Sequence, residues 1–407
     1  MGTFNVAKSL VKKLVDEGFV AYFAGGWVRD YLMGHPSSDI DIATDASPEE
    51  VTRLFEKTVQ VGAAFGVVVV LIEGKPYEVT TFRRDVEYKD GRKPTRIESS
   101  TPEEDAIRRD FTINGMFYDP LNDHIIDYVG GREDIRRGLV RTIGNPYDRF
   151  FEDRLRMIRA VRFACRFRFH VDPETEKAIF QNSPTLFPAV SMERIAQELT
   201  KMAHGPQFAY AVEEMHRLNL LQTIFPDLAA VHLTDIKKRA EHFSQIPKTS
   251  PLLPYLIELF DEVDKAKIEE LGSYLRLSKK EIDFTKFLHH VETLDNPDLY
   301  DWSRIYADER IDLILQILAA KYEEEEREGF FKEHEDRRRR LAPHIKRIRE
   351  RAPLVTSQHL FELGYKPGKE MGSVLKEAEK ASVLQDFVDV KQVIRHLKEE
   401  RLLEDKE

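Results

Sequence analysis

Tyr22 to Ala46 reads YFAGGWVRDYLMGHPSSDIDIATDA, an apolar run, a double glycine, a helical stretch and an acidic strand in close succession. The segment turns at Gly25-Gly26, runs helically from Trp27 to Met33, and returns as the strand Asp39-Ile40-Asp41-Ile42-Ala43. Alternate side chains of a strand share a face, so Asp39 and Asp41 project together, roughly 6.5 to 7 Å apart, while Ile40 and Ile42 pack behind them. Two carboxylates at that spacing suit one or two hard cations such as Mg2+, whose coordination shell substrate phosphates complete. A pair of ions about 3.5 to 4 Å apart steadies both the attacking and the leaving oxygen of an in-line phosphoryl displacement. The glycine turn brings bare backbone amides, that of Gly26 included, against a phosphate at a helix start, with Arg29 as a charged clamp. Metal and triphosphate are thereby expected in one place.

Working outward, Val6 to Gly18 carries Val6, Leu10, Val11, Leu14 and Val15 at helical spacing. Ser47-Pro48-Glu49-Glu50 has the N-cap and first-turn proline of a new helix. Gly66 to Glu73 and Tyr77 to Phe82 are β-branched runs around Gly74-Lys75-Pro76, the pattern of a hairpin. This order of elements predicts a small mixed α/β sheet with the site on its face. Glu78 alternates with Val79, which makes it either a third metal carboxylate or a solvated strand position. Arg83 to Ser100 is polar and carries Gly and Pro, so it reads as a mobile functional loop.

Pro102 opens a short helix ahead of Arg108-Arg109-Asp110-Phe111-Thr112-Ile113-Asn114, and Gly144-Asn145-Pro146 punctuates the chain. From Phe151 onward the patterns are helical. Glu152-Asp153 is expected to open one long helix, its acids favoured by the helix dipole. Arg154 to His170 holds six arginines and no acid, a concentrated positive stripe, with Arg156, Arg159 and Arg162 at three-residue spacing. Arg337 to Arg351 has eight basic residues against one acid and reads as a solvated helix or an RNA-facing tail.

A chain of 407 residues exceeds what one core usually supports, so roughly two to four domains are expected. Its net charge of −10 argues against a uniformly basic nucleic-acid binder and directs attention to local patches. The lone Cys165 excludes an internal disulfide framework and fits a reducing, cytoplasmic setting; amid Val161, Phe163, Ala164 and Phe167 it reads as a small core residue. Val67 to Ile72, the longest apolar run, is too short to span a bilayer, and MGTFNV has neither a signal-peptide core nor a myristoylation pattern. Nothing asks for a membrane or an obligate protein partner. His232, His242, His289 and His290 lack a His-Asp metal signature, so an appended phosphohydrolase is not expected.

Six stretches occur in a telling order: GGxVRD then DxD at Gly25 to Asp41, RRDFTIN at Arg108 to Asn114, the glycine-bearing Asp127 to Ile135, EDxxR with MIRAVRF at Glu152 to Phe163, the capped Ser191 to Leu199, and Gly364 to Gly372. In this order the chain resembles the class II tRNA nucleotidyltransferase and bacterial poly(A) polymerase family. The resemblance implies an α+β architecture with a nucleotidyltransferase head over residues 1–145. An all-helical neck (146–205), body (206–300) and tRNA-binding tail (301–407) follow. It implies attack of an RNA 3′-hydroxyl on the α-phosphate of a nucleoside triphosphate, with release of pyrophosphate. Asp39 and Asp41 would be the catalytic metal ligands. Gly26, Arg29, Arg109, Asp110, Arg159 and Arg162 would surround triphosphate and ribose, and the glycines of Asp127 to Ile135 would give a hinge its freedom.

The substrates implied are tRNA, CTP and ATP. CCA addition is favoured over adenosine-only addition or polyadenylation. The Arg83 to Ser100 loop is not shortened as in relatives that stop after two cytidines, and the longer basic extension of polyadenylating relatives is not seen. An inactive RNA-binding scaffold, the reading from another class, has no use for two adjacent exposed carboxylates. Within EDxxR, Asp153 and Arg156 are expected to select the base, the carboxylate accepting from an exocyclic amine and the guanidinium donating to a ring nitrogen. Two departures leave room for altered substrate choice: Trp27 stands where a small residue is expected, and Gly115 where alanine is usual.

Overall fold

The computed structural model describes residues 2–35, 37–62, 66–88 and 94–403. By contacts the chain divides into two units: residues 1–241 with 258–260 and 274–276, and the remainder to the C-terminus.

The first unit opens with α1 (Thr3–Asp16), whose Val6, Leu10, Val11 and Leu14 enter one buried cluster with Phe23, Ile42, Val68 and Val79. Apolar periodicity, not propensity, holds this helix down, because its stability comes from the buried face. The strands β1 (Ala21–Ala24), β2 (Asp41–Thr44), β3 (Thr58–Gly62), β4 (Val67–Ile72), β5 (Lys75–Thr81), β8 (Phe117–Asp119) and β9 (His124–Ile126) form a sheet ordered β3-β4-β5-β2-β1-β8-β9. Ile42 of β2 lies opposite Val79 of β5 in the parallel pairing, and the other neighbours are antiparallel. The expected hairpin is thus β4–β5. Between β1 and β2 the chain makes α2 (Gly26–Leu32), and after β2 comes α3 (Pro48–Leu54). Ser47 Oγ accepts from the Glu50 amide and the Glu50 carboxylate returns to the Ser47 amide, a capping box that fixes the start of α3.

Arg83 to Ser100 departs from the expected loop. Arg83–Tyr88 (β6) and Pro94–Ser99 (β7) pair antiparallel as a separate ribbon, while 89–93 lie outside the described residues. Backbone pairing needs no apolar alternation.

The glycines of Asp127 to Ile135 have a local role in the static fold. The Asp127 carboxylate accepts from the amides of Val129, Gly130, Gly131 and Arg132, capping α5 (Gly131–Arg137). Gly130 sits at φ 80°, and a Cβ on Gly131 would stand 2.3 Å from the Thr112 carbonyl oxygen. Left-handed backbone and close approach require glycine here.

Helices follow. They are α6 (Pro146–Glu152), α7 (Leu155–Phe167), α8 (Pro173–Asn182) and α9 (Met192–Ala203), preceded in the chain by α4 (Pro102–Ile107). The single long helix expected from Glu152 is two helices. Asp153 is extended (φ −147°, ψ 104°), and its Oδ1 accepts from the Leu155 amide, so the acid that starts α7 also ends α6. Among the described residues, no helix is long and apolar enough to cross a membrane.

The second unit is helical, with a core that includes Leu360, Tyr365, Val374, Val393 and Leu397. His334, on the Glu324–Glu350 helix, is 8% exposed, and its Nδ1 lies 2.8 Å from the Tyr306 hydroxyl, which also accepts from Arg337. Burial, reinforced by Arg337 and Arg338 against the opposing Glu333, pushes its pKa down to about 4. Burial and Lys321 push His242 down to about 4 as well, against Glu292. A histidine depressed in the fold contributes stability that is whole above its ordinary pKa near 6.5 and is lost as pH falls toward 4. Urea midpoints are therefore expected to drop between pH 6.5 and 4, with a shallower drop in His334→Gln, which keeps an acceptor for Tyr306. Equal pH slopes in parent and variant would rule out His334 as a source of acid lability.

Candidate active site

Gly25 takes φ 68°, which a side chain would strain, and a Cβ there would lie 3.0 Å from Arg109 Nη1 and 4.0 Å from Asp41 Oδ2. The bare turn, Asp41 at the start of β2 and one arginine of RRDFTIN therefore meet. Ile40 and Ile42 are buried while Asp39 is exposed and Asp41 half-buried, the alternation read from sequence. The strand itself begins only at Asp41, with Asp39 in its lead-in.

Burial, then the nearby Glu78, then Asp39 push the Asp41 carboxyl up to about 6, with Arg109 opposing. Glu78 is exposed on β5, one residue before the Val79 that faces Ile42. A carboxylate held among like charges is complementary to a cation, and oxygen donors suit a hard divalent one. These residues fit such an ion. Among the described residues, however, no three His, Cys, Asp or Glu are drawn into a ready-made metal group. Asp39, Asp41 and Glu78 act on one another without forming a closed cage, so substrate phosphate and water would have to complete the shell.

Arg109 is anchored by Asp105, whose Oδ2 receives Nη2 at 2.9 Å, and its guanidinium lies 5.1 Å from the Phe117 ring centre. Burial alone would raise Asp105, but Arg109 and Arg108 hold it below the usual carboxylate range. Arg29 is turned inward. It is 3% exposed, paired with Asp30, bonded to Asn114 Oδ1, and 4.4 Å from the Phe167 ring centre. Its Nη2 lies 3.4 Å from where a Cβ on Gly26 would stand, while Arg109 stands beside Gly25.

Arg156, Arg159 and Arg162 of the arginine stripe are not a free positive face. Arg159 donates to Asp110 Oδ2 at 2.9 and 2.6 Å, and Asp110 Oδ1 accepts from Asn114. Against its burial, Arg159 and Asn114 draw Asp110 down to about 2. Arg162 pairs with Glu198 of α9, which also holds Lys201. Arg156 donates to the Arg149 carbonyl and to Glu152. Asp153 lies outside the helix that carries Arg156, so the two are not on one long helix as expected. It accepts from Arg194 Nη2 at 2.9 Å.

Asn114, Glu198 and Arg194 thus tie the site together but did not stand out singly in the sequence. Glu198 left one signal, since it interrupts the apolar spacing of Ile195, Leu199 and Met202 and is 3% exposed. The two departures are accounted for by packing. Trp27 is 3% exposed, stacks on Tyr31, and donates its indole N–H to the Ser37 carbonyl at 3.0 Å. A Cβ on Gly115 would meet Val129 Cγ2 at 2.8 Å and Ile143 Cδ1 at 2.9 Å, so those side chains fill the space an alanine would use.

The profile of the poly A polymerase head domain matches residues 21–141, and that of the probable RNA and SrmB-binding site of polymerase A matches residues 168–231. A CCA-adding enzyme of Bacillus licheniformis is 35% identical over 395 residues, 96% of this chain and 96% of its own. The chain belongs to the CCA-adding enzyme family. A second member, from Ligilactobacillus salivarius, is 32% identical over 404 residues, covering 99% of this chain and 98% of its own. The fold agrees with that membership: the crystal structure of the Bacillus stearothermophilus CCA-adding enzyme in complex with CTP superposes with a TM-score of 0.81 at 31% identity, covering 98% of both chains. Members of the CCA-adding family are nucleotidyltransferases, and this chain is an enzyme of that class with the expected α+β architecture. Divalent metal dependence goes with the class.

Proposed function

We propose that the chain adds CCA to tRNA 3′ ends from CTP and ATP without a nucleic-acid template, releasing pyrophosphate. The observation that carries this is the meeting of Asp41, the bare Gly25 turn and Arg109 in a chain matched over nearly its whole length by CCA-adding enzymes. In our reading Asp39 and Asp41 hold Mg2+, with Glu78 close enough to tune them. A bound divalent ion lowers the pKa of the attacking hydroxyl and offsets charge on the α-phosphate. Gly26 lets the triphosphate approach the backbone, and Arg109, Asp110, Arg159 and Arg162 hold triphosphate and ribose. Fixed cations aimed at the transferring phosphate supply the electrostatic stabilisation that dominates phosphoryl transfer. Asp110 and Glu198 keep the arginines oriented before substrate arrives, and Asp153 and Arg156 read the base. We keep the division into head (1–145), neck (146–205), body (206–300) and tail (301–407), and place the enzyme in the cytoplasm.

The deciding experiment offers tRNA ending at the discriminator base, at C and at CC, with each nucleotide alone. Two C additions followed by one A are expected. Incorporation of A only, or open-ended A addition, would replace this reading with A-adding or polyadenylating activity.

For tRNA we propose the neck and the helical C-terminal half. Several cations of Arg337 to Arg351 are engaged internally: Arg337 lies over Trp302, Arg338 pairs with Asp312, and Arg349 donates to the Tyr306 carbonyl. Truncation after Pro343 would cut the helix that buries Leu341 and Ile345, so charge reversal is the better test. Arg340 and Lys346 are exposed. Arg340→Glu with Lys346→Glu is expected to weaken tRNA binding and to flatten its salt dependence by about one unit of log–log slope per lost phosphate contact, with CTP affinity unchanged. Equal losses for tRNA and CTP would count against an RNA-facing tail.

A further inference from the structure

Phe151, in the last turn of α6, is 67% exposed, the most exposed aromatic side chain among the described residues, although its neighbour Phe150 is fully buried. A single exposed ring is ordinary, but this one is fitted with a cation. The Arg154 guanidinium lies 5.1 Å from the ring centre. It is held there from two sides, its Nε donating to Thr185 Oγ1 at 3.1 Å and its Nη1 to the Phe151 carbonyl at 3.2 Å. Thr185 is itself tied to the Asn182 carbonyl, and the Tyr147 hydroxyl donates to Gln181 Oε1, so the end of α8 steadies α6. Among the described residues Arg154 makes no ion pair, unlike Arg156, Arg159 and Arg162. The acids next to it in sequence are already engaged, Glu152 by Arg149 and Arg156, and Asp153 by Arg194. A fixed ring with an unneutralised cation against it is complementary to a planar group that carries an anion.

We infer that Phe151 and Arg154 form a stacking platform for one unpaired nucleotide of the RNA substrate, its base lying on the Phe151 ring and its phosphate meeting Arg154. Stacking uses the face of a base, which is open where the base is unpaired, so the platform suits the 3′ overhang of a tRNA and not its acceptor helix. Every base has such a face, so the contact holds the RNA end without choosing sequence, a task separate from the one proposed for Asp153 and Arg156. The placement agrees, because Phe151 is two residues from Asp153 and their Cα atoms are within about 7 Å of each other. The occupant follows from the proposed function, on which this inference rests: a chain that extends tRNA 3′ ends must hold an unpaired end beside the base being added.

The test compares a blunt RNA hairpin with the same hairpin carrying one unpaired 3′ nucleotide, by filter binding to the full chain. The parent should bind the overhang form more tightly, on the order of tenfold. Phe151→Leu keeps an apolar side chain and loses the π face, so it should erase most of that advantage, and Phe151→Tyr should retain it. Arg154→Gln should lessen the advantage, more at low salt than at high. Because Phe151 is exposed, the melting temperature of these position-151 variants should stay at the parent value, so a damaged fold does not imitate the result. An advantage that survives in Phe151→Leu, or that the parent lacks, overturns the platform. So does a raised KM for CTP with the hairpin preference intact, which would put the ring in the nucleotide pocket. Loss of self-association in Phe151→Leu, again with the preference intact, would make the ring a contact between copies and overturn it too. If the parent adds no nucleotide to tRNA, the proposed function fails, while the hairpin comparison still decides the platform.

Discussion

Asp41→Ala is expected to lower nucleotide incorporation by about 10³-fold or more while tRNA binding stays nearly unchanged. The expectation rests on where the fold puts this carboxylate. It lies beside a glycine turn that excludes any side chain, with its pKa pushed up to about 6 by burial, Glu78 and Asp39. At neutral pH its ionised form therefore costs the metal-free protein stability, up to about 3 kcal/mol for a rise of roughly two pK units. A carboxylate kept for structure behaves in the opposite way, being paired and stabilising. Asp41→Asn separates the two cases because it removes the charge and keeps the shape. It should melt at or above the parent temperature in the absence of divalent metal, and gain nothing when Mg2+ is added. A variant that loses stability and activity together would reduce Asp41 to a structural role, and one with full turnover would end the two-carboxylate mechanism.

What could be read in the chain and what could not divides along the range of the interaction. The α1 face, the Ser47 cap, the β4–β5 hairpin and the Asp39 to Ile42 alternation are local, each set by residues within one or two turns of one another. The partners that orient the site are not. Arg159 reaches Asp110 across 49 positions, Arg162 reaches Glu198 across 36, and Asp153 reaches Arg194 across 41. A run of arginines without neighbouring acids thus reads as a free positive stripe, although the fold supplies the acids from other elements. Arg29 is the sharpest case, since its place beside the turn was legible but its direction was not. Asn114, 85 positions away, and the aromatic floor from Phe163 and Phe167 hold it inward. The β6–β7 ribbon leaves no such pattern for a different reason, because its pairing is carried by backbone groups that every residue possesses.

Asp153→Ala and Arg156→Ala are expected to relax base choice, so that UTP or GTP is used measurably beside CTP and ATP. Cytosine and adenine offer an amine donor beside a ring-nitrogen acceptor; uracil and guanine offer a carbonyl beside a ring N–H. A carboxylate can only accept and a guanidinium can only donate, so the wrong bases leave both protein groups opposed. Hydrogen-bonding sites of this kind discriminate on the order of 10⁴-fold, where shape alone manages about 10²-fold. The structure sharpens the test by showing what else each group does. Asp153 Oδ1 caps α7 at the Leu155 amide and Oδ2 holds Arg194, while Arg156 is held by Glu152 and the Arg149 carbonyl. Loss of the cap alone would cost roughly 0.5 to 2 kcal/mol of stability and leave selectivity intact. Asp153→Asn keeps an oxygen for the cap but sets an N–H against Arg194 and against the cytosine amine, so the loss of stability should be that of the Arg194 pair alone while the choice of base still blurs. Arg194→Ala removes the clamp without touching the reader, and is expected to raise the KM for CTP with a smaller change in the CTP to UTP ratio. If all these variants are slower yet keep the parent ratio of CTP to UTP incorporation, the neck does not read the base through these residues.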